Sequence, residues 1–139
     1  MHSLLPDDNK MIIKLFEQAR SIAVVGLSNK PERDSFKVSQ YMQKKGYRII
    51  PVNPRVNKVL GEQSYSDLLS VPDTIDIVNI FRRSEHVPPI VAEAIKINPM
   101  AIWLQLGIIN EEAAKTAALN GIPAVMDKCI MVEHRRLKG

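Results

Sequence analysis

Residues 24–35 read VVGLSNKPERDS and lead from an apolar strand pattern through a glycine towards a helix. This order is typical of the first turn of a nucleotide-binding α/β fold, where a phosphate sits on the free N–H groups of the helix. Of the three glycines in the dinucleotide fingerprint, the stretch contains only Gly26. The stretch therefore predicts the fold and leaves open which ligand the loop would hold.

Five continuous apolar runs without polar alternation recur along the chain. Runs of this kind are typical of strands that are covered on both faces, as in a parallel sheet. The runs comprise residues 22–25, 47–52, 75–81, 101–106 and 123–126.

Amphipathic helical patterns lie between these runs. They follow Ser35, Ser84 and Asn110, a further helix is expected over residues 8–19, and residues 64–70 are expected to form one short helix. Strands that alternate with helices at this spacing imply right-handed crossovers and a doubly wound α/β sheet. In such sheets, ligands bind at the carboxyl ends of the strands, beside the point where the strand order reverses.

Composition and length indicate one globular domain. Apolar residues make up 45% and charged residues 24% of the sequence, which is ordinary for a soluble protein. We expect a single domain over residues 1–139, in which residues 1–20 pack on the core as an N-terminal helix. No apolar segment reaches the length of a membrane span and the first residues do not read as a signal peptide, so a cytoplasmic protein without a membrane partner is expected.

Cysteine, histidine and charge exclude several kinds of site. Cys129 is the single cysteine, so no internal disulfide can form, which agrees with a reducing compartment. None of His2, His86 and His134 lies at metal-ligand spacing with Cys129, and no metal is expected. The formal charge of +4 favours an anionic partner. Basic residues are scattered and aromatic residues are few, so a nucleic-acid partner is not predicted.

The loop after the first strand has the composition of a phosphate site. Gly26 permits a tight turn, and Asp34 or Ser35 is expected to cap the following helix. Lys30 and Arg33 place positive charge beside the free N–H groups of that helix, where a diphosphate would fit. The same residue types are common in any strand-to-helix loop, so this loop alone leaves phosphate binding open.

The loop after the second strand, residues 51–55 (PVNPR), argues against NAD. A fold that binds NAD normally ends this strand in Asp or Glu, which accepts hydrogen bonds from the ribose hydroxyl groups. The position holds Asn53, followed by Pro54 and Arg55. A missing carboxylate beside a cation suits a ribose that carries an extra phosphate, which leaves NADP and coenzyme A.

Two later loops offer further candidates. Phe81 gives an apolar face at a strand end, and Arg82 can pair with phosphate or lie against a base, although a core role and a surface role explain these residues equally well. Gln105 is an amide in an apolar strand pattern and needs polar partners there, while Gly107 ends the strand.

Together these loops resemble the small, stand-alone CoA-binding proteins of the Rossmann type, which are related to the CoA-binding domain of the succinyl-CoA synthetase alpha subunit. Residues 24–55, 76–95 and 102–137 carry the resemblance, which covers nearly everything from Ser21 to Leu137. It implies a three-layer, doubly wound Rossmann-like fold with a five-stranded parallel sheet. It also implies that coenzyme A or an acyl-CoA binds at the carboxyl edge of that sheet.

The same resemblance implies which residues contact coenzyme A. The implied phosphate contacts are Gly26, Leu27, Ser28, Lys30, Arg33 and Ser35. Those implied to border the adenosine are Val52, Asn53, Pro54 and Arg55. Phe81 and Arg82 would line the other side, and Gln105 and Gly107 would lie nearer the pantetheine path.

The synthetase reaction is not expected to accompany the resemblance. The synthetase carries its phosphorylated histidine on a second domain, and the context of neither His86 nor His134 matches that histidine. We therefore expect a binding protein without catalytic residues that acts as a carrier, a sensor or a subunit docking on an enzyme. A protein partner is possible on this interpretation, and the sequence does not determine the oligomeric state.

Three alternatives stay open at this point. Cys129 is expected to be an inert, buried cysteine, and the alternative is a mixed disulfide with the thiol of CoA. An NADP-dependent oxidoreductase is disfavoured by the incomplete glycine fingerprint. The chain also lacks an obvious proton-transfer pair, because Tyr41 and Lys45, which have the Tyr-x-x-x-Lys spacing, lie on the first crossover helix, far from a nicotinamide. The last alternative is an interaction or nucleic-acid-binding domain that has lost its ligand, supported only by the weakly basic charge.

Overall fold

The computed structural model describes residues 9–139 and has the alternation of strands and helices that the sequence predicts. Asp8, the first residue of the expected N-terminal helix, lies outside the described residues. The strands are β1 (Ser21–Val25), β2 (Arg48–Val52), β3 (Lys58–Val59), β4 (Glu62–Gln63), β5 (Ile77–Ile80), β6 (Ala101–Leu104) and β7 (Ala124–Val125). The α-helices are α1 (Asn9–Gln18), α2 (Asp34–Lys44), α3 (Val87–Ile97), α4 (Glu111–Leu119) and α5 (Ile130–Leu137).

Five of these strands form one parallel sheet in the order β2-β1-β5-β6-β7. The prediction of a five-stranded, doubly wound sheet is confirmed. The strand order reverses between β1 and β5, which places the switch point there. In the register of the sheet, Val25 pairs with both Val52 and Ile80, and Ile80 pairs with Leu104. Four strands therefore end level with one another, along what we call the carboxyl edge.

Helices cover both faces of the sheet and complete three layers. Successive strand residues point to opposite faces, so Val25 packs towards α3 and α4 while Val24 packs towards α1, α2 and α5. Trp103 in β6 is fully buried on the second face and stacks on Phe16 of α1 with ring centroids 5.7 Å apart. The strands read as continuous apolar runs because they are buried on both sides.

The opposite margin of the sheet, the amino edge, is closed by hydrogen bonds between loops. One carboxylate oxygen of Asp76 accepts the N–H groups of Arg20 and Ser21 at 2.7 and 3.2 Å. In return, the Ser21 hydroxyl accepts the N–H of Asp76 at 3.0 Å and donates to the carbonyl of Thr74 at 2.8 Å. These reciprocal bonds fix where β1 and β5 begin.

Several boundaries differ from the sequence prediction. The helix expected over residues 64–70 is only a 3-10 turn at Leu68–Ser70, and the antiparallel pair β3 and β4 was not predicted because each strand has two residues. The run over residues 101–106 contributes a strand that ends at Leu104, so Gln105 follows the strand and does not lie within it.

Neither a membrane-spanning helix nor a cluster of metal ligands is found among residues 9–139. In this part of the chain no helix combines the length and the apolar character that crossing a membrane requires. In the same part, no three His, Cys, Asp or Glu side chains are grouped so that they could hold a metal ion.

Candidate functional site

Gly26 brings three strand ends together at the switch point. Its φ is +91°, and a Cβ built on it would lie 2.6 Å from the carbonyl oxygen of Phe81. Its N–H donates to the Val52 carbonyl at 2.9 Å, and the Phe81 N–H donates to the Val25 carbonyl at 2.9 Å. Any other residue would combine backbone strain with a backbone clash at this position. The glycine is therefore explained by the close approach of β1 and β5.

The expectation that Asp34 or Ser35 caps helix α2 is wrong. Arg33 occupies the N-cap position and makes no side-chain capping bond. The hydroxyl of Ser35 is buried and instead accepts the N–H of Ser28 at 3.0 Å, while Ser28 Oγ accepts the N–H of Lys30. Ser35 is thus used to fold the loop back on itself. Helix α2 begins without a side chain over its first N–H groups.

Asn53 ties the loop after β2 to the loop after β1. Its Nδ2 donates to the Leu27 carbonyl at 3.0 Å, and its Oδ1 accepts the N–H of Arg55 at 2.9 Å. Its own carbonyl accepts the hydroxyl of Ser64 at 3.0 Å. Where an NAD-binding fold has a carboxylate that faces the ribose, this chain has an amide that holds two loops in register.

A basic cavity of ≈ 700 Å³ opens at the carboxyl ends of β1 and β2, beside helix α3. We call it the first cavity. It is lined by Val25, Gly26, Arg33, Val52, Asn53, Pro54, Arg55, Ser66, Asp67, Arg82, Arg83, His86, Ile90 and Glu93. Within residues 9–139, none of the four guanidinium groups on its wall has an ion-pair partner. Because the wall carries four arginines and only two carboxylates, Asp67 and Glu93, the first cavity presents a net positive charge to an anion.

A second cavity, of ≈ 720 Å³, lies on the other side of the switch point, between α2, α5 and the ends of β5 and β6. It is lined by Asp34, Lys37, Val38, Phe81, Arg82, Arg83, Ser84, Glu85, Gln105, Leu106, Gly107, Ile108, Cys129, Met131 and Val132. Apolar side chains contribute much of this wall, in contrast to the first cavity. Arg82 and Arg83 line both cavities, so the two spaces adjoin at this pair.

The structure brings ten of the fourteen implied contact residues to the walls of these cavities. Four others line neither cavity: Leu27, Ser28, Lys30 and Ser35. Leu27 and Ser35 are buried in the fold, whereas Lys30 is exposed. Among the implied contact residues of the first loop, the charged and polar side chains thus separate into Arg33, which faces the first cavity, and residues that shape the loop or face solvent.

Sequence reasoning missed one wall of the first cavity. His86, Ile90 and Glu93 lie three or four residues apart along the start of α3 and so share one helix face. Glu93 is not free there, because its Oε1 accepts the N–H of Leu68 at 2.9 Å. The spacing of these residues was visible in the sequence, but it does not say which way the face is turned. Arg83, beside the predicted Arg82, was also missed.

Gln105 is buried beside the second cavity and is held by two neighbours. Its Oε1 accepts the N–H of Ile130 at 3.3 Å and the Nδ2 of Asn79 at 3.3 Å. The same Asn79 nitrogen donates to the Trp103 carbonyl at 3.3 Å. The predicted need of Gln105 for polar partners is confirmed.

Cys129 lies at the N-cap of α5 and lines the second cavity, with its residue half-buried. The segment that carries it is fixed by Trp103 Nε1, which donates to the Lys128 carbonyl at 2.8 Å, and by Asp127, whose Oδ1 accepts the N–H of Gly107 at 2.7 Å. Thiol exchange with CoA stays a hypothesis, for which mass spectrometry after incubation with CoA disulfide is the test.

His134, a histidine with a lowered pKa, lies away from both cavities. Burial lowers the pKa of His134 from its ordinary value of 6.5, and the nearby cations Lys45 and Lys138 lower it further. The imidazole Nδ1 shares a 3.0 Å hydrogen bond with the Tyr41 hydroxyl and the ring meets Phe16 edge-on, with centroids 5.1 Å apart. His134 therefore belongs to the packing of α1, α2 and α5.

Comparison with known proteins finds relatives that match this chain over nearly its full length. The chain is 43% identical over 123 residues to the uncharacterized protein YneT of Bacillus subtilis, covering 88% of this chain and 91% of that protein. It superimposes on a hypothetical protein from Pyrococcus horikoshii with a TM-score of 0.92 and 37% identity, over 95% and 93% of the two chains.

A larger relative contains the same region as a part. The chain is 32% identical over 100 residues to the ADP-forming acetate–CoA ligase II of Archaeoglobus fulgidus, which is 70% of this chain and 15% of that enzyme. Residues 20–135 match the family described as the CoA binding domain. The chain thus belongs to the CoA-binding domain family, as the four loops at the carboxyl edge suggested.

Proposed function

We propose that this protein binds coenzyme A or an acyl-CoA in an extended conformation along the carboxyl edge and performs no chemistry on it. The nucleotide half lies in the first cavity, and the thiol-bearing arm lies in the second. The observation that carries this proposal is the pairing of a basic cavity and a more apolar one that adjoin at Arg82 and Arg83. Coenzyme A has the same division, with its phosphates at one end and its arm at the other.

The first cavity suits the phosphorylated half of the ligand. Arg33, Arg55, Arg82 and Arg83 surround the space with planar cations, which bind phosphate oxygens through paired N–H donors. Arg33 also sits at the uncapped start of α2, an 11-residue helix whose first N–H groups and positive dipole end favour an anion. Several phosphate groups in one ligand would use several of these cations at once.

The second cavity suits the arm. Phe81, Ile108 and Met131 give it apolar walls, and Gln105 supplies an amide at the end of β6. A chain of methylene groups interrupted by amides gains from the burial of its apolar part and needs a few polar partners. The exposed side chain of Leu106 extends the apolar wall towards solvent, where an acyl group or a protein partner would meet it.

A binding role agrees with how this region occurs in its larger relative. The matched region makes up 15% of the acetate–CoA ligase, so most of that enzyme lies outside the similarity. We propose that any chemistry on the bound ligand is performed by another protein, to which this one delivers or reports coenzyme A.

A ligand panel tests the proposal. The melting temperature of the purified protein is measured with CoA, with NADPH and with a DNA duplex, because a ligand that binds the native state raises stability by mass action. CoA at a hundred times its dissociation constant should add about 2.7 kcal/mol to the free energy of unfolding. Absence of a shift with CoA would refute the proposal, and a shift with NADPH or DNA alone would favour the corresponding alternative.

A matched pair of variants locates the phosphates. Arg33→Ala should weaken CoA binding by about tenfold and reduce its salt dependence, because it removes one charge-assisted phosphate contact. Lys30→Ala removes the same charge from the same loop outside the cavity and should change the affinity by less than about threefold. Equal effects of the two variants would mean that the phosphates lie outside the first cavity.

A further inference from the structure

The amide of Gln105 has only one possible orientation. Its oxygen must face the N–H of Ile130, because a backbone N–H can only donate and the reversed amide would set donor against donor. Asn79 is fixed by the same logic, since its Nδ2 faces the backbone carbonyl of Trp103. Two backbone groups therefore determine how the whole Asn79–Gln105 pair points.

That orientation leaves the amide nitrogen of Gln105 without a protein partner. Both observed hydrogen bonds of its side chain use Oε1, and no partner for Nε2 occurs within residues 9–139. Gln105 is only 6% exposed, but its Nε2 is not completely enclosed by protein. Because Gln105 lines the second cavity, Nε2 opens onto that space. A buried donor with open space in front of it calls for an acceptor from a ligand.

We infer that Gln105 donates through Nε2 to a carbonyl oxygen in the arm of the bound ligand, and that Asn79 is the positioning residue that aims it. This inference rests on the proposed function and specifies the group that the second cavity recognises. The arm of coenzyme A contains two amide carbonyls, and an acyl-CoA adds a thioester carbonyl. All three present the acceptor that the amide nitrogen lacks.

The position of Gln105 along the edge agrees with this role. Strand β6 is three places from β2 in the sheet, which corresponds to about 14 Å at the usual spacing of strands. The arginines of the first cavity lie at the ends of β1, β2 and β5, so Gln105 stands beyond them in the direction in which an extended arm would continue. The apolar side chains of Phe81, Ile108 and Met131 leave few competing hydrogen-bond partners there.

The test compares a ligand that has the arm with one that lacks it. The affinities for CoA and for adenosine 3′,5′-bisphosphate are measured by calorimetry for the wild type, Gln105→Glu and Gln105→Met. Glutamate keeps the acceptor oxygen and loses the donors, while methionine loses both without adding charge. Both variants should bind CoA about tenfold more weakly and bind the bisphosphate as the wild type does. Gln43→Glu, whose amide donates to Leu60 outside both cavities, is the matched control and should leave both affinities unchanged.

Asn79→Leu tests the positioning role. It should produce a selective loss for CoA, because the Gln105 oxygen then keeps only the 3.3 Å hydrogen bond from Ile130 and the amide is held less firmly. An equal loss for both ligands would mean that Asn79 merely supports the fold. In the wild type, the ¹⁵N-labelled side-chain amide signal of Gln105, assigned by its disappearance in Gln105→Met, should shift with CoA and stay in place with the bisphosphate.

The outcomes separate this inference from the proposed function. If the wild type fails to bind CoA, both are overturned. If CoA binds while the Gln105 variants match the wild type and the amide signal does not move, only the role of Gln105 is overturned. Acetyl-CoA then distinguishes the acceptors: a larger loss for acetyl-CoA than for CoA assigns the thioester carbonyl, and equal losses assign an amide carbonyl of the arm.

Discussion

The two edges of the sheet satisfy their polar groups in opposite ways. At the amino edge, Asp76 and Ser21 exchange hydrogen bonds with each other and with neighbouring backbone, and Arg48 pairs with Asp73 at 2.9 Å. At the carboxyl edge, hydrogen bonds shape the loops, but the arginines of the first cavity have no ion-pair partner in the described part of the chain. Charged side chains are therefore paired within the protein at the amino edge, whereas the carboxyl edge keeps arginines that are available to a ligand.

The largest effect is expected where the carboxyl edge does depend on packing. Gly26→Ala should lower the free energy of unfolding by about 4 kcal/mol, because it adds backbone strain and a 2.6 Å contact with the Phe81 carbonyl. Denaturant unfolding measures the loss. Gly107→Ala is the control, with a similar φ of +86° and nothing within 4 Å of the added Cβ, and should cost about 1 kcal/mol. Equal costs would show that the close approach at Gly26 relaxes easily.

The next effect separates the two edges directly. Asp76→Ala should lower the free energy of unfolding by about 2–3 kcal/mol, because it leaves two backbone N–H groups without their charged acceptor. Its affinity for CoA, measured on the folded protein, should match that of the wild type. The variant Arg33→Ala should behave in the opposite way, losing affinity and keeping stability.

A second variant at the amino edge tests whether the hydrogen bonds of Asp76 are the cause of its lost stability. Asp73→Ala removes only a half-exposed ion pair with Arg48 and should change the free energy of unfolding by less than about 1 kcal/mol. If Asp73→Ala costs as much as Asp76→Ala, the reciprocal hydrogen bonds are not what closes this edge.

The smallest effect concerns pH and lies at neither edge. Because the pKa of His134 is lowered in the fold, the unfolded chain binds more protons than the folded chain just below pH 6.5. Stability is therefore complete above that value and falls as the pH drops below it, by at most about 1.4 kcal/mol per pH unit. Thermal unfolding across this range should show a slope that His134→Phe reduces. An unchanged slope in that variant would assign the pH dependence to other groups.

The sequence predicts the layers of this fold well because each strand is an uninterrupted apolar run. Glycines and caps mark the helix ends, as at Asn110, whose Oδ1 accepts the N–H of Ala113 as expected. The loop contacts are harder to predict, since Ser35 bonds to Ser28 and Asn53 bonds to Leu27, 26 residues away. Residue type suggested that these groups face a ligand, but it did not reveal that their side chains also hold the loops together.

In the candidate site, too, the sequence predicts the elements better than the direction of individual side chains. Arg33 and Lys30 look equivalent in the sequence, and only the turn of the loop decides which one faces the first cavity. The wall formed by Glu93 and Ile90 depends on the rotation of α3 about its axis, which apolar spacing fixes only to within a face. Sequence identifies the edge and ten of the residues that line its two cavities, while the assignment of individual side chains requires the packed structure.

The shared wall at Arg82 and Arg83 has a consequence for avidity. Two cavities that adjoin make a bipartite ligand chelating: once one half is seated, the other half is held at a high effective concentration beside its own subsite. Each half can then bind weakly by itself while the linked molecule binds tightly. Under the proposed function, coenzyme A leaves one half at a time, and such stepwise release lets a tightly bound ligand leave without a single large barrier.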